Sequence, residues 1–146
     1  MIPAAETVDR LRNSAQAKKL RLTPQRDLML RILGTVPQHL TADQLFRRVR
    51  ALMPSVSHAT VYRNAQTLVR AGVIAALERP GGPVHYDVNL DGHHHFVCDR
   101  CGRVADVHVA GLSWRARPRS RALEGARVTG CRLQLHGVCA RCRSRR

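Results

Sequence analysis

"SVSHATVYRNAQTLVRAGVIAALERPGGPVHYDV", Ser55 to Val88, changes its periodicity in the middle. Up to Gly72, apolar residues return at helical intervals as Val61, Ala65, Leu68 and Val69, with Ser57 in place as an N-cap and Gly72 as the stop. Beyond Gly72 two short apolar runs flank a Pro/Gly turn, which is the pattern of a β-hairpin. Upstream, "LTADQLFRRVRALMP" predicts a helix capped by Thr41, with Leu45, Val49 and Leu52 as its buried stripe and Pro54 after its end. Before that, "LTPQRDLMLRILGT" predicts another, with Thr23 as cap, Pro24 at the first helical position and Leu28, Ile32 and Leu33 on one side. Three short helices followed by a two-stranded hairpin outline a winged helix, the helix-turn-helix variant whose third helix enters the major groove.

With the apolar stripe of the third helix turned inward, His58, Thr60, Tyr62, Arg63, Gln66 and Arg70 face outward. Such a mixture can reach base edges, thymine methyls and phosphates, and Tyr62 and Arg63 are the leading candidates. Arg21, in "KKLRLT", can reach a phosphate or a narrow minor groove. Without DNA, an exposed arginine on a helix is simply solvated.

Whole-chain charge agrees with a polyanionic partner. Lys+Arg number 25 against 10 Asp+Glu, a formal charge of +15 in 146 residues, which favours nucleic acid over a membrane surface. Residues 111–146 carry ten arginines and one acid, Glu124, so a basic tail contributes much of the excess and says little about specificity. "MIPAAETVDRLRN" has no apolar core of a signal peptide, and no stretch approaches the roughly 18 apolar residues of a membrane span, so a cytoplasmic location is expected. In that reducing compartment five cysteines, an odd number, point to metal or thiol chemistry instead of a disulfide framework.

Composition divides the chain into a winged-helix domain at 1–88, a hinge "NLDG" at 89–92, and a second domain at 93–146. In the second, "HHHFVC" and "RVADVHV" are β-like around a tight "CDRCG" turn, "CRLQLHGVC" is a third strand, and "SWRARPRSRALEGA" can hold a helix started or broken at Pro118. So small a domain needs a staple. Cys98-x-x-Cys101 and Cys139-x-x-Cys142, separated by 37 residues, supply four thiolates suited to tetrahedral zinc, and a closed four-sulfur site leaves no position for substrate. Cys131 is left over and reads as a buried apolar residue. On a strand, His93 and His95 share a face and His94 points away.

"HLTADQLF", "SHATVYRNAQTLVRAGVI", "HHHFVCDRCGRVADV" and "HGVCARC", in this order over nearly the whole chain, resemble the Fur (ferric uptake regulator) family of metal-dependent repressors of iron, zinc, manganese or peroxide stress genes. The resemblance implies an α+β fold: an N-terminal winged helix and a small C-terminal α/β dimerisation domain with Cys-bound structural zinc. It also implies a regulatory metal site, which falls here on His39, Asp87, His93, His95 and Asp106. The partners it implies are a second copy of the chain and a palindromic operator in double-stranded DNA. Three imidazoles and two carboxylates without sulfur suit Fe(II) or Mn(II) better than a thiolate-rich zinc sensor site would. Iron regulators of the family usually carry Glu where this chain has Asp106, so the resemblance favours its peroxide-sensing branch. A third metal site of many relatives falls on Gly92, His94, Ser113 and Cys131 and is expected to be lost or vestigial, while Arg115, Arg117, Arg119 and Arg121 depart from the usual composition of their region. His85, His108 and His136 are either substitute ligands there or structural residues, and the structural reading is favoured.

Three other functions compete. One is a repressor responsive to iron, manganese or zinc without peroxide chemistry. A second is a thiol switch in which the CxxC pairs lose zinc to oxidant. A metalloenzyme is the third, and it lacks the HExxH or paired-acid motif that such chemistry uses.

Overall fold

Among the described residues four helices, not three, precede the hairpin. The computed structural model describes residues 4–36, 39–78, 81–108, 124–127, 129 and 132–144, and the chain falls into two units, 1–90 and 91–146. Among the described residues no helix is long and apolar enough to cross a membrane.

In the first unit α1 (Ala4–Ala17) packs on α2 (Pro24–Thr35) through Leu11 and Ala15, both buried. Gly34 of α2 permits the approach, since a Cβ there would lie 2.8 Å from Val8 Cγ2. Arg12 donates two hydrogen bonds, 2.7 and 2.9 Å, to the Asp27 carboxylate across the same interface. That guanidinium holds the Asp27 carboxyl below its ordinary range. The end of α1 carries no glycine. Instead Lys19 takes φ 55°, and Lys19 N–H to Gln16 O and Leu20 N–H to Ala15 O close the helix in the Schellman pattern.

The expected caps of the next helices are present. Thr23 Oγ1 accepts from Arg26 N–H to start α2. Thr41 and Gln44 exchange a reciprocal capping box at α3 (Ala42–Leu52), with bonds of 3.2 and 2.9 Å. Because Thr41 also ends β1 (Leu40–Thr41), this box fixes the backbone that follows His39. Thr41→Ala is expected to cost about 1 kcal/mol in urea unfolding, and Thr41→Ser to restore most of it. Ser57 caps α4 (His58–Arg70), which Gly72 closes at φ 65°.

Leu30, Leu33, Leu45, Val49, Val61, Ala65 and Leu68 gather the helices around one core. The stripe expected on α3 fails at its last member: Leu52 is 69% exposed, because α3 ends there and the following Met53 packs against the core instead. The hairpin forms from β2 (Ala75–Leu77) and β3 (His85–Asp87), and β1 pairs antiparallel on the other side of β3, placing Leu40 opposite Tyr86.

The second unit contains β4 (His94–Cys98), β5 (Val104–Val107), β6 (Gln134–Gly137) and a short α5 (Ala140–Arg143). Its sheet has the order β5-β4-β6, with β4 antiparallel to β5 and parallel to β6. The helix expected within "SWRARPRSRALEGA", Ser113, Cys131 and the arginines at 115, 117, 119 and 121 lie outside the described residues, apart from Glu124 to Ala126.

Candidate metal centres and nucleic-acid interface

Parallel pairing explains the long interval between the two CxxC pairs. β4 and β6 run in the same direction with Cys98 opposite Gly137, so both strands deliver the residues that follow them to the same end of the sheet. A parallel partner requires a crossover connection, which supplies the intervening residues. Cys98 ends β4, Cys101 lies in the tight turn closed by Gly102 at φ 69°, Cys139 sits at the N-terminal boundary of α5 and Cys142 lies within it. Their four Sγ atoms all lie within 4.8 Å of one another, and Cys101 and Cys139 are 3.9 Å apart. Tetrahedral Zn–S bonds of about 2.3 Å require S···S edges of about 3.8 Å, so this donor set fits zinc.

Backbone groups already favour negative charge here. The Cys139 N–H donates to Cys98 Sγ at 3.3 Å, and with the Cys101 N–H it draws the Cys98 thiol down to about 6. Hydrogen bonding with the Cys101 and Cys139 thiols pushes Cys142 up to about 12. Outside the sulfurs, Arg100 donates to Cys142 O at 2.6 Å, Asp99 N–H to Gly137 O at 2.8 Å, and His136 Nδ1 lies 3.2 Å from Asp99 Oδ1.

Upstream on the same strand, His95 is the register partner of Asp106 on β5. His93 Nε2 and His95 Nε2 approach Asp106 Oδ1 at 3.4 and 3.8 Å, while the two rings meet edge-on with centroids 4.4 Å apart. Both imidazoles are buried. The Asp91 carbonyl can only accept, so its 2.7 Å contact assigns a proton to His93 Nδ1 and makes Nε2 the nitrogen that faces Asp106. His94 points the other way, its Nδ1 accepting from Leu133 N–H at 3.2 Å. Metal bonds of about 2.1 Å to nitrogen and oxygen give donor edges of about 3.0 to 3.5 Å, so these three side chains can serve as part of a cation site.

In the first unit the β1–β3 register, continued one residue, places His39 opposite Asp87. His39 Nε2 lies 3.3 Å from Asp87 Oδ1, and the same oxygen accepts from Asn89 N–H at 2.8 Å. His85 on the same strand is buried, with Nδ1 3.1 Å from Pro83 O, and His108 is exposed.

On α4 the side chains of Tyr62, Arg63, Gln66 and Arg70 are exposed, and so is Arg21 ahead of α2. Thr60 and His58 have intramolecular partners. The Thr60 hydroxyl lies 2.8 Å from Ser57 Oγ, and His58 Nε2 is 3.0 Å from Asp43 Oδ1 with its ring edge-on to Phe46. Sequence reasoning passed over Asp43, Asn64, Arg26 and Arg100. None occupies a position that spacing marks as a ligand or a contact, and each matters through a partner distant in sequence.

The family model described as the ferric uptake regulator family matches residues 17–136. The peroxide operon regulator of Bacillus subtilis is 31% identical over 123 residues, covering 84% of each chain. Among solved structures, a zinc-bound manganese uptake regulator is 28% identical with TM-score 0.67, over 88% of this chain and 98% of that one. The Vibrio cholerae ferric uptake regulator is 26% identical with TM-score 0.70, over 87% of this chain and 98% of its own.

Proposed function

The chain belongs to the ferric uptake regulator family as a metal-dependent DNA-binding transcriptional repressor, and we propose that it senses peroxide through a regulatory Fe(II) or Mn(II) site. The observation that carries this reading is the sulfur-free donor set. His93, His95 and Asp106 converge on one face of the β4–β5 pair, and the carboxylate among them is an aspartate. The likeness to the peroxide operon regulator of Bacillus subtilis supports it.

His39 and Asp87 in the first unit, with His93, His95 and Asp106 in the second, are proposed to hold the same ion. Cation binding is then linked to one relative arrangement of the two units, and it shifts the population toward the DNA-competent homodimer only by its differential affinity for that state. Two recognition helices in a two-fold dimer suit a palindromic operator with half-sites about one helical turn apart, or a multiple of it. Fe(II) bound there would supply a local reductant for hydrogen peroxide, whereas Mn(II) would not. A ligating imidazole that gains oxygen binds cations poorly, so the link between the units is lost and DNA is released. Cys98, Cys101, Cys139 and Cys142 hold structural zinc in this reading, in a closed set with no place for substrate, and the chain acts in the cytoplasm as a regulator instead of an enzyme.

Peptide mass spectrometry tests the proposal on protein loaded with Fe(II) or Mn(II) and exposed to dilute peroxide. An added oxygen on the peptide carrying His39 or His93, in the Fe(II) sample alone, is expected. Unchanged peptides with DNA binding that still follows metal concentration would leave a plain metal-responsive repressor, the reading that the likeness to a manganese uptake regulator favours.

A further inference from the structure

We infer that Arg26 sets the spacing between the two DNA-contacting elements of the first unit, the segment carrying Arg21 and the recognition helix α4. The inference rests on the DNA-binding reading of this unit. Arg26 lies in the first turn of α2, a helix anchored in the core by Met29, Leu30 and Leu33. Its guanidinium donates in two directions. Nε donates to Asn64 Oδ1 on α4 at 2.9 Å, across 38 positions of sequence, and an Nη donates to the Arg21 backbone carbonyl at 2.8 Å. Asn64 is half-buried and sits between the exposed Arg63 and the buried Ala65, so the bond grips α4 next to a candidate base-reading side chain. The other bond holds the main chain of Arg21, whose side chain is exposed.

One planar fork on a rigid helix thus ties both elements to the same point. A lysine keeps the charge but offers a single compact ammonium, which cannot hold both acceptors in the fixed geometry of the fork. If Arg21 reaches a phosphate, its contact depends on the carbonyl anchor beneath it. The contacts of Arg63 depend in turn on where Asn64 holds the helix. Arg26 is therefore a positioning residue that acts through Arg21 and Asn64, and its own charge is not the contact.

The test uses the full-length Mn(II)-loaded protein and a duplex selected from a random-sequence pool by the wild-type protein. Arg26→Lys is expected to weaken binding about tenfold and to lower the slope of log affinity against log salt by about one, the loss of one phosphate contact. Arg21→Ala should reproduce the slope change, and the double variant should bind no more weakly than Arg26→Lys alone, because coupled residues are not additive. Asn64→Ala, which removes no charge, should weaken binding and likewise add nothing to Arg26→Lys. Mn(II) affinity and melting temperature should stay near wild type in every variant, which separates this role from general damage to the fold. Wild-type affinity and slope in Arg26→Lys, or losses that add across the cycles, would overturn the inference. Failure of the wild-type protein to select any duplex would sink the DNA-binding reading itself, and the inference with it.

Discussion

Cys139→Ser is expected to unfold the 91–146 unit and dissociate the dimer, while the helices of the 1–90 unit persist. The reason is the shortage of apolar burial. Among the described residues of the second unit, Val97, Cys98 and Val104 are the buried apolar side chains, against the continuous core of the first unit. A three-stranded sheet with so little to bury depends on its staple, and structural zinc in comparably small domains supplies on the order of 10 kcal/mol of apparent folding free energy. Serine offers no thiolate and leaves three ligands around the ion. Sedimentation should show the monomer, circular dichroism a loss of strand signal with the helical signal kept, and the zinc content should fall well below one per chain. Chelation of zinc from the wild-type protein should give the same result. The pH dependence has a defined sign: Cys98 titrates near 6 whereas Cys142 is pushed up to about 12, so at neutral pH zinc displaces protons from the set and acid weakens binding. Retention of dimer and strand signal in metal-free Cys139→Ser protein would show that packing alone holds the unit.

Local signals survive folding better than distant ones. Thr23, Thr41, Ser57 and Gly72 were legible because a cap is a contract between residues three or four apart; the first three start their helices and Gly72 closes one, as read. The hairpin was legible for the same reason, since its turn lies between the runs it joins. Helix α1 was missed because its stop is Lys19 in a left-handed conformation that usually marks glycine, and because Gly34, the residue that admits it, lies 26 positions from Val8. Leu52 fits the α3 stripe by spacing, but spacing does not tell where the helix runs past its core. At the metal centres the CxxC pairs and the two-residue spacing of His93 and His95 announced themselves. The pairing of His95 with Asp106, and of His39 with Asp87, came only through strand register and the resemblance to a family. Arg26 shows the limit most plainly. Its role lies in two acceptors on different elements, and no pattern in one dimension marks it.

Asp106→Ala is expected to abolish metal-dependent DNA binding, with Mn(II) affinity reduced more than 100-fold and the zinc content unchanged. Asp106 presents one oxygen to both His93 Nε2, at 3.4 Å, and His95 Nε2, at 3.8 Å, so it supplies the negative charge of the proposed ligand set in the second unit. Imidazoles without that charge bind hard divalent cations weakly, because carboxylate oxygen suits Mn(II) better than nitrogen alone. Loss of an outer-shell partner of a metal ligand commonly costs 10- to 100-fold in affinity, and loss of a ligand itself costs at least as much. The consequence for DNA follows from reciprocity. If the ion no longer distinguishes the DNA-competent state, DNA no longer tightens the ion, and the two affinities lose their coupling together. Titration of the selected duplex with and without saturating Mn(II) should therefore give one curve for Asp106→Ala and two for wild type. Asp99→Ala supplies the contrast, since its carboxylate faces His136 beside the cysteine cluster and lies outside the proposed regulatory set. It should keep both wild-type curves. Should Asp106→Ala still bind DNA in proportion to Mn(II), the regulatory site is not built on the β4–β5 pair, and His93 and His95 are held by Asp106 for the sake of the sheet alone.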